Sequence, residues 1–264
     1  MAAIKSFELF AVEVPFKKPF KHAAAERSAS NSLFLKGVTE SGSFGFGECL
    51  PREYVTGETR DQAFDLLQHK LLPRLVGTTF LSVEALKSFL IDCNGKAPAE
   101  WVDPAIPQTA AWAAVDLALL DAFGHEFNTP IHIGNPADMN SDFKYSAVIS
   151  SESGFKALKL LLKIRLYGFR QAKLKVEAAA PLKAARFARL ILGKAFDIRA
   201  DANMAWDVNQ ALDAMDALSK YGIRSYEQPI KPDDISGLAR LVAESGLRVM
   251  VDESLNDAES LEQL

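Results

Sequence analysis

The chain has 264 residues, 48% hydrophobic and 24% charged, which is typical of one or two globular domains and excludes a disordered or fibrous protein. Its net charge of −4 lacks the basic excess of a general nucleic-acid binder, and no apolar stretch is long enough to cross a bilayer. Two cysteines cannot form a disulfide framework and the N-terminus shows no signal-peptide pattern, so we expect a cytoplasmic protein without nucleic-acid or membrane partners.

The first third of the chain has the pattern of strands followed by helices. Apolar and polar side chains alternate over residues 4–14, which predicts a strand, and two further strands over 32–38 and 44–49 form a hairpin. The polar segments 17–30 and 51–59 are predicted to be loops. A small antiparallel sheet followed by helices indicates an α+β domain, which we place at residues 1–130.

Helix signals follow these strands. Thr59 and Gln62 form a capping-box pattern at the start of one helix, and a second helix is predicted over residues 83–91. A long alanine-rich helix begins near Pro107, and Gly124 is predicted to lie just past its end.

After about residue 140 strands alternate with helices. Strands are predicted over residues 145–149, 170–176, 196–202, 224–228 and 248–251. This alternation is typical of βαβ units and a parallel sheet, so residues 131–264 are predicted to form an α/β domain.

One ionisable residue ends each of four successive strands. Lys175, Asp201, Glu227 and Asp252 occupy these positions, separated by 25 or 26 residues. The carboxyl ends of parallel strands are where sites are built in α/β folds, so this phase indicates one shared site. Capping of the following helix is the alternative interpretation for any single position.

The three carboxylates predict a metal centre. Asp201, Glu227 and Asp252 would repel one another and take up protons unless a cation lay among them, and oxygen donors with room for water favour Mg²⁺. A solvated acid or a helix cap is the alternative for each of them. Glu253 is a rival to Asp252, but strand alternation predicts that only one of the two faces the centre.

Two lysines complete the predicted chemistry. Lys173 and Lys175 share one face of their strand, and the two ammonium groups beside a divalent cation should lower each other's pKa, as a general base requires. A lysine base next to Mg²⁺ suits removal of a proton α to a carboxylate, because the metal stabilises the enolate charge.

These motifs resemble the enolase superfamily, in its muconate-lactonizing-enzyme subgroup. The resemblance rests on Lys173-Leu174-Lys175, Asp201-Ala202-Asn203, Glu227-Gln228-Pro229 and Asp252-Glu253-Ser254, and covers essentially the whole chain. It implies an α+β capping domain and an enolase-type (β/α) barrel, with Mg²⁺ held by Asp201, Glu227 and Asp252. It further implies Lys175 as the acid/base with Lys173 as its helper, and places Asn203 and Glu253 next to the metal ligands.

The resemblance also implies loops that close over a substrate. Residues 47–59 resemble the capping-domain hairpin and specificity loop of the family, and the 17–30 segment would act with them. His22, Arg27 and Tyr54 are the candidate substrate contacts, although ordinary exposed loop residues are the simpler interpretation.

The sequence departs from the family in its number of βα units. A barrel needs about eight units, and only about five are predicted here. The second catalytic lysine and the specificity-determining strand of the family lie beyond the fifth unit. We expect a fragment of a longer protein first, with completion by another chain or an inactive relic as alternatives, because an open sheet edge is seldom tolerated.

We therefore expect an enzyme that racemises or epimerises a small-molecule carboxylate, either an amino acid or a dipeptide. We also expect a homo-oligomer. A cycloisomerase or an o-succinylbenzoate-type dehydratase is the alternative within the family. An inactive module that binds a partner through its open edge is the alternative outside it. Dinucleotide binding by the glycines at 42, 45 and 47 is discounted, because they lie in a hairpin and do not open a helix.

Overall fold

The computed structural model describes residues 1–22, 25–129, 144–150, 154–176, 180–255 and 258–264. The side chains of residues 18–22, 25–26 and 258–259 are outside that description. The chain divides into two compact units, Met1–Met139 and Asn140–Leu264. Each unit has its own hydrophobic core.

The first unit contains a four-stranded antiparallel sheet in the order β3-β2-β1-β4. Its strands are β1 (Ala2–His22), β2 (Ala25–Thr39), β3 (Phe44–Cys49) and β4 (Thr79–Phe80). The predicted hairpin is confirmed, with β3 beginning and ending at the predicted residues. The α+β architecture of this part of the chain is confirmed as well.

The predicted loop over residues 17–30 is wrong. The ladder between β1 and β2 continues past a register shift, with Phe20 opposite Arg27 and His22 opposite Ala25. These segments are polar and show no clean alternation, so their sequence carries no half-buried strand signal. Backbone pairing between the two chain segments decides their conformation instead.

The helices of the first unit follow the sheet. They are α1 (Glu53–Thr56), α2 (Arg60–Leu66), a π-helical turn (Leu67–Leu71), α3 (Leu72–Leu75), α4 (Val83–Cys93) and α5 (Thr109–Glu126). The capping box is confirmed, because Thr59 accepts from the backbone N–H of Gln62 while the Gln62 side chain accepts from that of Thr59. The helix end predicted at Gly124 is wrong: Gly124 is buried inside α5, and its φ is not positive.

Helix α5 lies directly on the edge strand β3. A Cβ atom on Gly45 would come within 2.0 Å of the Ala122 backbone nitrogen, and one on Gly47 within 1.9 Å of the Ala114 carbonyl oxygen. The backbone N–H of Phe46, on the edge strand, donates a hydrogen bond to Asp121 of α5 at 2.8 Å. These glycines therefore permit close helix–strand packing, which explains them without a nucleotide.

The second unit contains a five-stranded sheet, wholly parallel, in the order β5-β6-β7-β8-β9. The strands are β5 (Ala147–Ile149), β6 (Gln171–Lys175), β7 (Asp197–Asp201), β8 (Ser225–Glu227) and β9 (Arg248–Met250). The helices are α6 (Gly154–Leu166), α7 (Pro181–Leu192), α8 (Val208–Ser219), α9 (Ile235–Ser245) and α10 (Ala258–Gln263). The predicted alternation of strands and helices is confirmed.

Strand alternation separates the core of this unit from its chemistry. Leu174, Ala200 and Tyr226 are fully buried within the apolar core. Their sequence neighbours Lys175, Asp201 and Glu227 project to the other face of the sheet. In the part of the chain that the structure describes, no helix has the length and apolar character needed to cross a membrane.

Candidate active site

The charged strand ends form one row across the sheet. Lys175 pairs in register with Asp201, and Asp201 pairs with Glu227. On β9 the register places Met250 beside Glu227, so Asp252 lies two residues beyond the row. Asp252 is exposed. The sequence spacing therefore identified three members of the row, but not the register of the fourth strand.

Two buried carboxylates converge on one lysine ammonium. Asp201 and Glu227 are only 1% and 4% exposed. Lys173 Nζ donates to Glu227 Oε1 at 2.6 Å and lies 2.9 Å from Asp201 Oδ2. A single positive charge therefore bridges two acids that would otherwise repel each other in a poorly solvated site.

Lys175 lies beside the same carboxylates. Its Nζ donates to Asp201 Oδ2 at 3.2 Å and to Asn203 Oδ1 at 2.8 Å. The Asn203 backbone N–H donates to Asp201 Oδ1 at 3.1 Å, and its side-chain amide donates to Glu253 Oε1 at 3.4 Å. The structure thus brings Asn203 and Glu253 next to the predicted metal ligands.

The protein's own groups do not produce the pKa lowering expected for Lys173 beside a divalent cation. Burial of its ammonium lowers the pKa, but hydrogen bonds to Glu227 and Asp201 outweigh that effect. The net pKa of Lys173 therefore lies above the ordinary lysine value. Lys173 acts here as the counter-charge of two carboxylates.

Sequence reasoning missed Arg199. This residue lies on β7 in register between Lys173 and Ser225, and its Nε is 2.9 Å from Glu227 Oε2. The angle does not make a hydrogen bond, so both atoms are buried without a hydrogen-bond partner among the described residues. One signal could have identified Arg199. Both faces of a parallel sheet are normally covered, so a charged residue within such a strand needs a partner.

The donor set fits a hard divalent cation. Asp201 and Glu227 supply buried oxygen atoms aimed at one cationic position, and Glu227 Oε2 has acceptor capacity left over. Within the described residues, however, no three His, Cys, Asp or Glu side chains are grouped closely enough to hold a metal. Two of the three predicted ligands thus converge, and the ligand role of Asp252 stays a prediction.

The predicted substrate contacts all lie in the first unit. Arg27 is part of β2, and its guanidinium lies 5.9 Å from the centroid of the Phe16 ring. Tyr54 lies in α1 with its side chain 43% exposed. His22 ends β1, and its side chain lies outside the described residues. Their role in substrate contact stays a prediction.

Two family models match successive parts of the chain. The model for the mandelate racemase / muconate lactonizing enzyme N-terminal domain matches residues 6–133. The model for the enolase C-terminal domain-like family matches residues 154–264. Together they cover most of both units, and the second match includes the row of charged strand ends.

Curated relatives and solved structures match along nearly the whole chain. The chain is 26% identical to an N-succinyl-L-Arg/Lys racemase of Bacillus cereus, over 99% of this chain and 69% of the relative. It is 28% identical to a hydrophobic dipeptide epimerase of Enterococcus faecalis, over 99% of this chain and 71% of the relative. A dipeptide epimerase of Cytophaga hutchinsonii, solved with Mg and D-Ala-L-Val, superposes with a TM-score of 0.79 at 24% identity, over 99% and 68% of the two chains.

Proposed function

The chain belongs to the mandelate racemase / muconate lactonizing enzyme family of the enolase superfamily, and from this premise we propose that it catalyses Mg²⁺-dependent proton transfer at a carbon α to a carboxylate. An isomerase is the enzyme class that its relatives support. We propose a racemase or epimerase that acts on an N-acylated amino acid or a dipeptide, the two substrate types in those relatives' names.

One observation carries this proposal. Lys175 Nζ lies within hydrogen-bond distance of Asp201, a carboxylate that is 1% exposed and shares its cationic partner with Glu227. The Lys175 side chain and two buried carboxylates thus lie together at the carboxyl ends of β6, β7 and β8. A general base and a charge-stabilising site must lie this close for α-proton removal.

Asp201 and Glu227 would hold Mg²⁺, and Asp252 would supply the third carboxylate. When bound, the metal supplies charge stabilisation for a substrate carboxylate as negative charge develops on it. Two further residues contact the proposed ligands. Asn203 orients Asp201 through its backbone N–H, and Arg199 Nε lies next to Glu227 Oε2.

Lys175 in its amine form would take the proton. The substrate Cα–H bond breaks, the proton goes to Nζ, and the electron pair moves toward the substrate carboxylate. Asn203 Oδ1 accepts a hydrogen bond from Nζ at 2.8 Å and so fixes the direction of the amine. Lys173 would add a positive charge beside the two carboxylates. When the Lys175 ammonium trades this proton with solvent and then returns a solvent proton to the same face, the Cα hydrogen is exchanged without inversion. Inversion needs a second acid on the opposite face.

Solvent exchange tests the proposal. The protein with Mg²⁺ is incubated in D₂O with N-succinyl amino acids and with dipeptides, and deuterium at Cα is measured by NMR and mass spectrometry. We expect exchange by the wild-type protein and a loss of about 10³-fold in Lys175→Met, the order of contribution of a general base. Lys220→Met, which removes an exposed lysine paired with Asp216, is the matched control and should exchange at the wild-type rate.

The same assay separates the alternatives. Formation or opening of a lactone, or loss of water, without racemisation would favour a cycloisomerase or a dehydratase of the same family. Absence of both Mg²⁺ binding and exchange with all substrates would overturn the proposal in favour of a non-catalytic module.

We also propose a cytoplasmic location and a homo-oligomeric state. Cys49 and Cys93 are free thiols, which is consistent with a reducing compartment. Light scattering on the purified chain measures the oligomeric state, and a monomer across the working concentration range would contradict that part.

A further inference from the structure

Gln228 directly follows the buried Glu227 and has an unusual environment. It is 0% exposed. Its φ of 37° lies in the left-handed region, which residues other than glycine seldom adopt. A buried amide in a disfavoured backbone conformation persists only where surrounding contacts fix it.

Every hydrogen-bonding position of the Gln228 side chain is used. Oε1 accepts from the backbone N–H groups of Asp252 at 2.9 Å and Ser254 at 3.1 Å. Nε2 donates to the Ser254 hydroxyl at 2.7 Å and to the Ile230 carbonyl at 3.0 Å. A primary amide offers two lone pairs and two N–H bonds, so no capacity is left over.

The backbone of Gln228 joins two further segments to this network. Its N–H donates to the Met250 carbonyl at 2.8 Å, at the end of β9. Its carbonyl accepts from the Met204 N–H at 2.8 Å, in the turn after β7. One residue thus connects the segments that follow β7, β8 and β9.

The segment after β9 lies beyond the ladder of the sheet and is held by side chains. Besides the contacts of Gln228, the Asn203 amide donates to Glu253 Oε1 and the Ser254 hydroxyl donates to the Pro232 carbonyl. In the described sheet β9 is an edge strand, and its three residues end at Met250, two positions before Asp252. The backbone N–H groups of Asp252 and Ser254 point to one oxygen of Gln228, which fixes the 251–252 and 253–254 peptide planes. These hydrogen bonds restrict the backbone from which the Asp252 and Glu253 side chains project.

We propose that Gln228 is a positioning residue that orients the 252–254 segment, so that the Asp252 carboxylate can join Asp201 and Glu227 on one cation. This inference rests on the proposed function, because it assigns the metal ligands named there. It adds that the third ligand is placed by a neutral amide on the neighbouring strand end.

Hydrogen exchange of the wild-type protein gives the first test. The amides of Asp252 and Ser254 should exchange slowly, although they lie beyond the end of an edge strand, because both donate to a buried oxygen. If both amides exchanged at the rate of an unstructured loop, Gln228 would not hold this segment and the proposal would be overturned. This measurement needs neither metal nor substrate.

Mg²⁺ titration of Gln228→Met gives the second test. Methionine preserves the length of the side chain but removes all four hydrogen bonds, so we expect calorimetry to show Mg²⁺ affinity lowered 10- to 100-fold, a range typical for residues that orient metal ligands. Amide exchange at residues 252–254 should become faster in the same variant.

Tyr226→Phe is the matched control. Tyr226 is also 0% exposed and lies next to Glu227, but its hydroxyl contacts the carbonyls of Met215 and Ile223, away from the row of charges. It should lower the melting temperature and leave Mg²⁺ affinity within twofold of wild type. Equal Mg²⁺ affinity in Gln228→Met and wild type, or an equal loss in Tyr226→Phe, would overturn the positioning role. A wild-type protein that binds no Mg²⁺ would instead overturn the proposed function.

Discussion

Glu58 in the first unit and Glu227 in the second are buried to nearly the same extent, with 1% and 4% of their surfaces exposed. Their partners differ. Glu58 accepts backbone N–H groups on both oxygens, from Ala110 at 2.7 Å and Ala111 at 3.0 Å. Glu227 faces the charged groups of Lys173 and Arg199, and one of its oxygens has no hydrogen-bond partner in the described part of the chain.

The difference shows that burial alone does not identify a site. Glu58 completes the N-terminus of α5, where an anion satisfies free N–H groups and the helix dipole. Its acceptor positions point to the protein's own backbone. Glu227 faces side-chain cations, whose place a bound metal cation can take. The type of partner, rather than burial, distinguishes the proposed metal ligand Glu227 from the structural carboxylate Glu58.

The largest effect is expected for Glu227, the proposed metal ligand of the pair. Glu227→Gln keeps the shape of the side chain but removes the charge, so Mg²⁺ affinity should fall at least about 100-fold. The amide oxygen can still accept from Lys173, but the NH₂ group would face Arg199, so the free energy of unfolding should fall by about 2 kcal/mol. Calorimetry and chemical denaturation measure the two quantities. Affinity like that of wild type would show that Glu227 is not a ligand.

Packing in the first unit gives the next largest effect. Gly47→Ala places a Cβ atom 1.9 Å from the Ala114 carbonyl oxygen, so strand and helix must separate. We expect a loss of about 3 kcal/mol in the free energy of unfolding, the upper range for overpacking. Urea denaturation measures this loss. An unchanged stability would contradict the direct helix–strand packing.

Glu58→Gln tests the structural role of Glu58 at the N-terminus of α5. It removes the anion from the N-terminus of α5 and replaces one acceptor by an amide that faces a backbone donor, which should cost about 2 kcal/mol. Mg²⁺ affinity should stay at the wild-type value, opposite to the expectation for Glu227→Gln. A loss of Mg²⁺ affinity with unchanged stability would reverse the assignment of the two residues.

Asp116 is a third, partly buried acid, and its substitution is expected to have the smallest effect. Asp116 on α5 has a buried Oδ1 without a hydrogen-bond partner among the described residues, and burial raises its pKa to about 6. Because the folded-state pKa is above the unfolded value, Asp116 costs no stability below pH 4, and stability falls as the pH rises through 6. Asp116→Asn should therefore stabilise the protein by about 1 kcal/mol at pH 8, a value discounted for partial exposure, and have little effect at pH 4. Denaturation at both pH values measures this, and a gain of equal size at pH 4 would contradict the cause.

Local signals in the sequence predicted much of this protein. Periodicity located β3, α4 and the five parallel strands, because alternation and helical spacing report which face of a segment is buried. The capping box of Thr59 and Gln62 predicted a helix start, since both partners lie within one turn. The phase of Lys175, Asp201 and Glu227 predicted a shared site, because parallel strands bring their carboxyl ends to one edge.

Only the tertiary structure decided which groups meet. The ladder that extends β1 and β2 through the predicted loop, the register that places Asp252 beyond the row, and the approach of Arg199 to Glu227 all depend on residues far apart in the chain. The pKa of Lys173 rises because two carboxylates from other strands surround it. Such through-space contacts leave no local pattern, so sequence spacing predicts the members of the site but not their pairing.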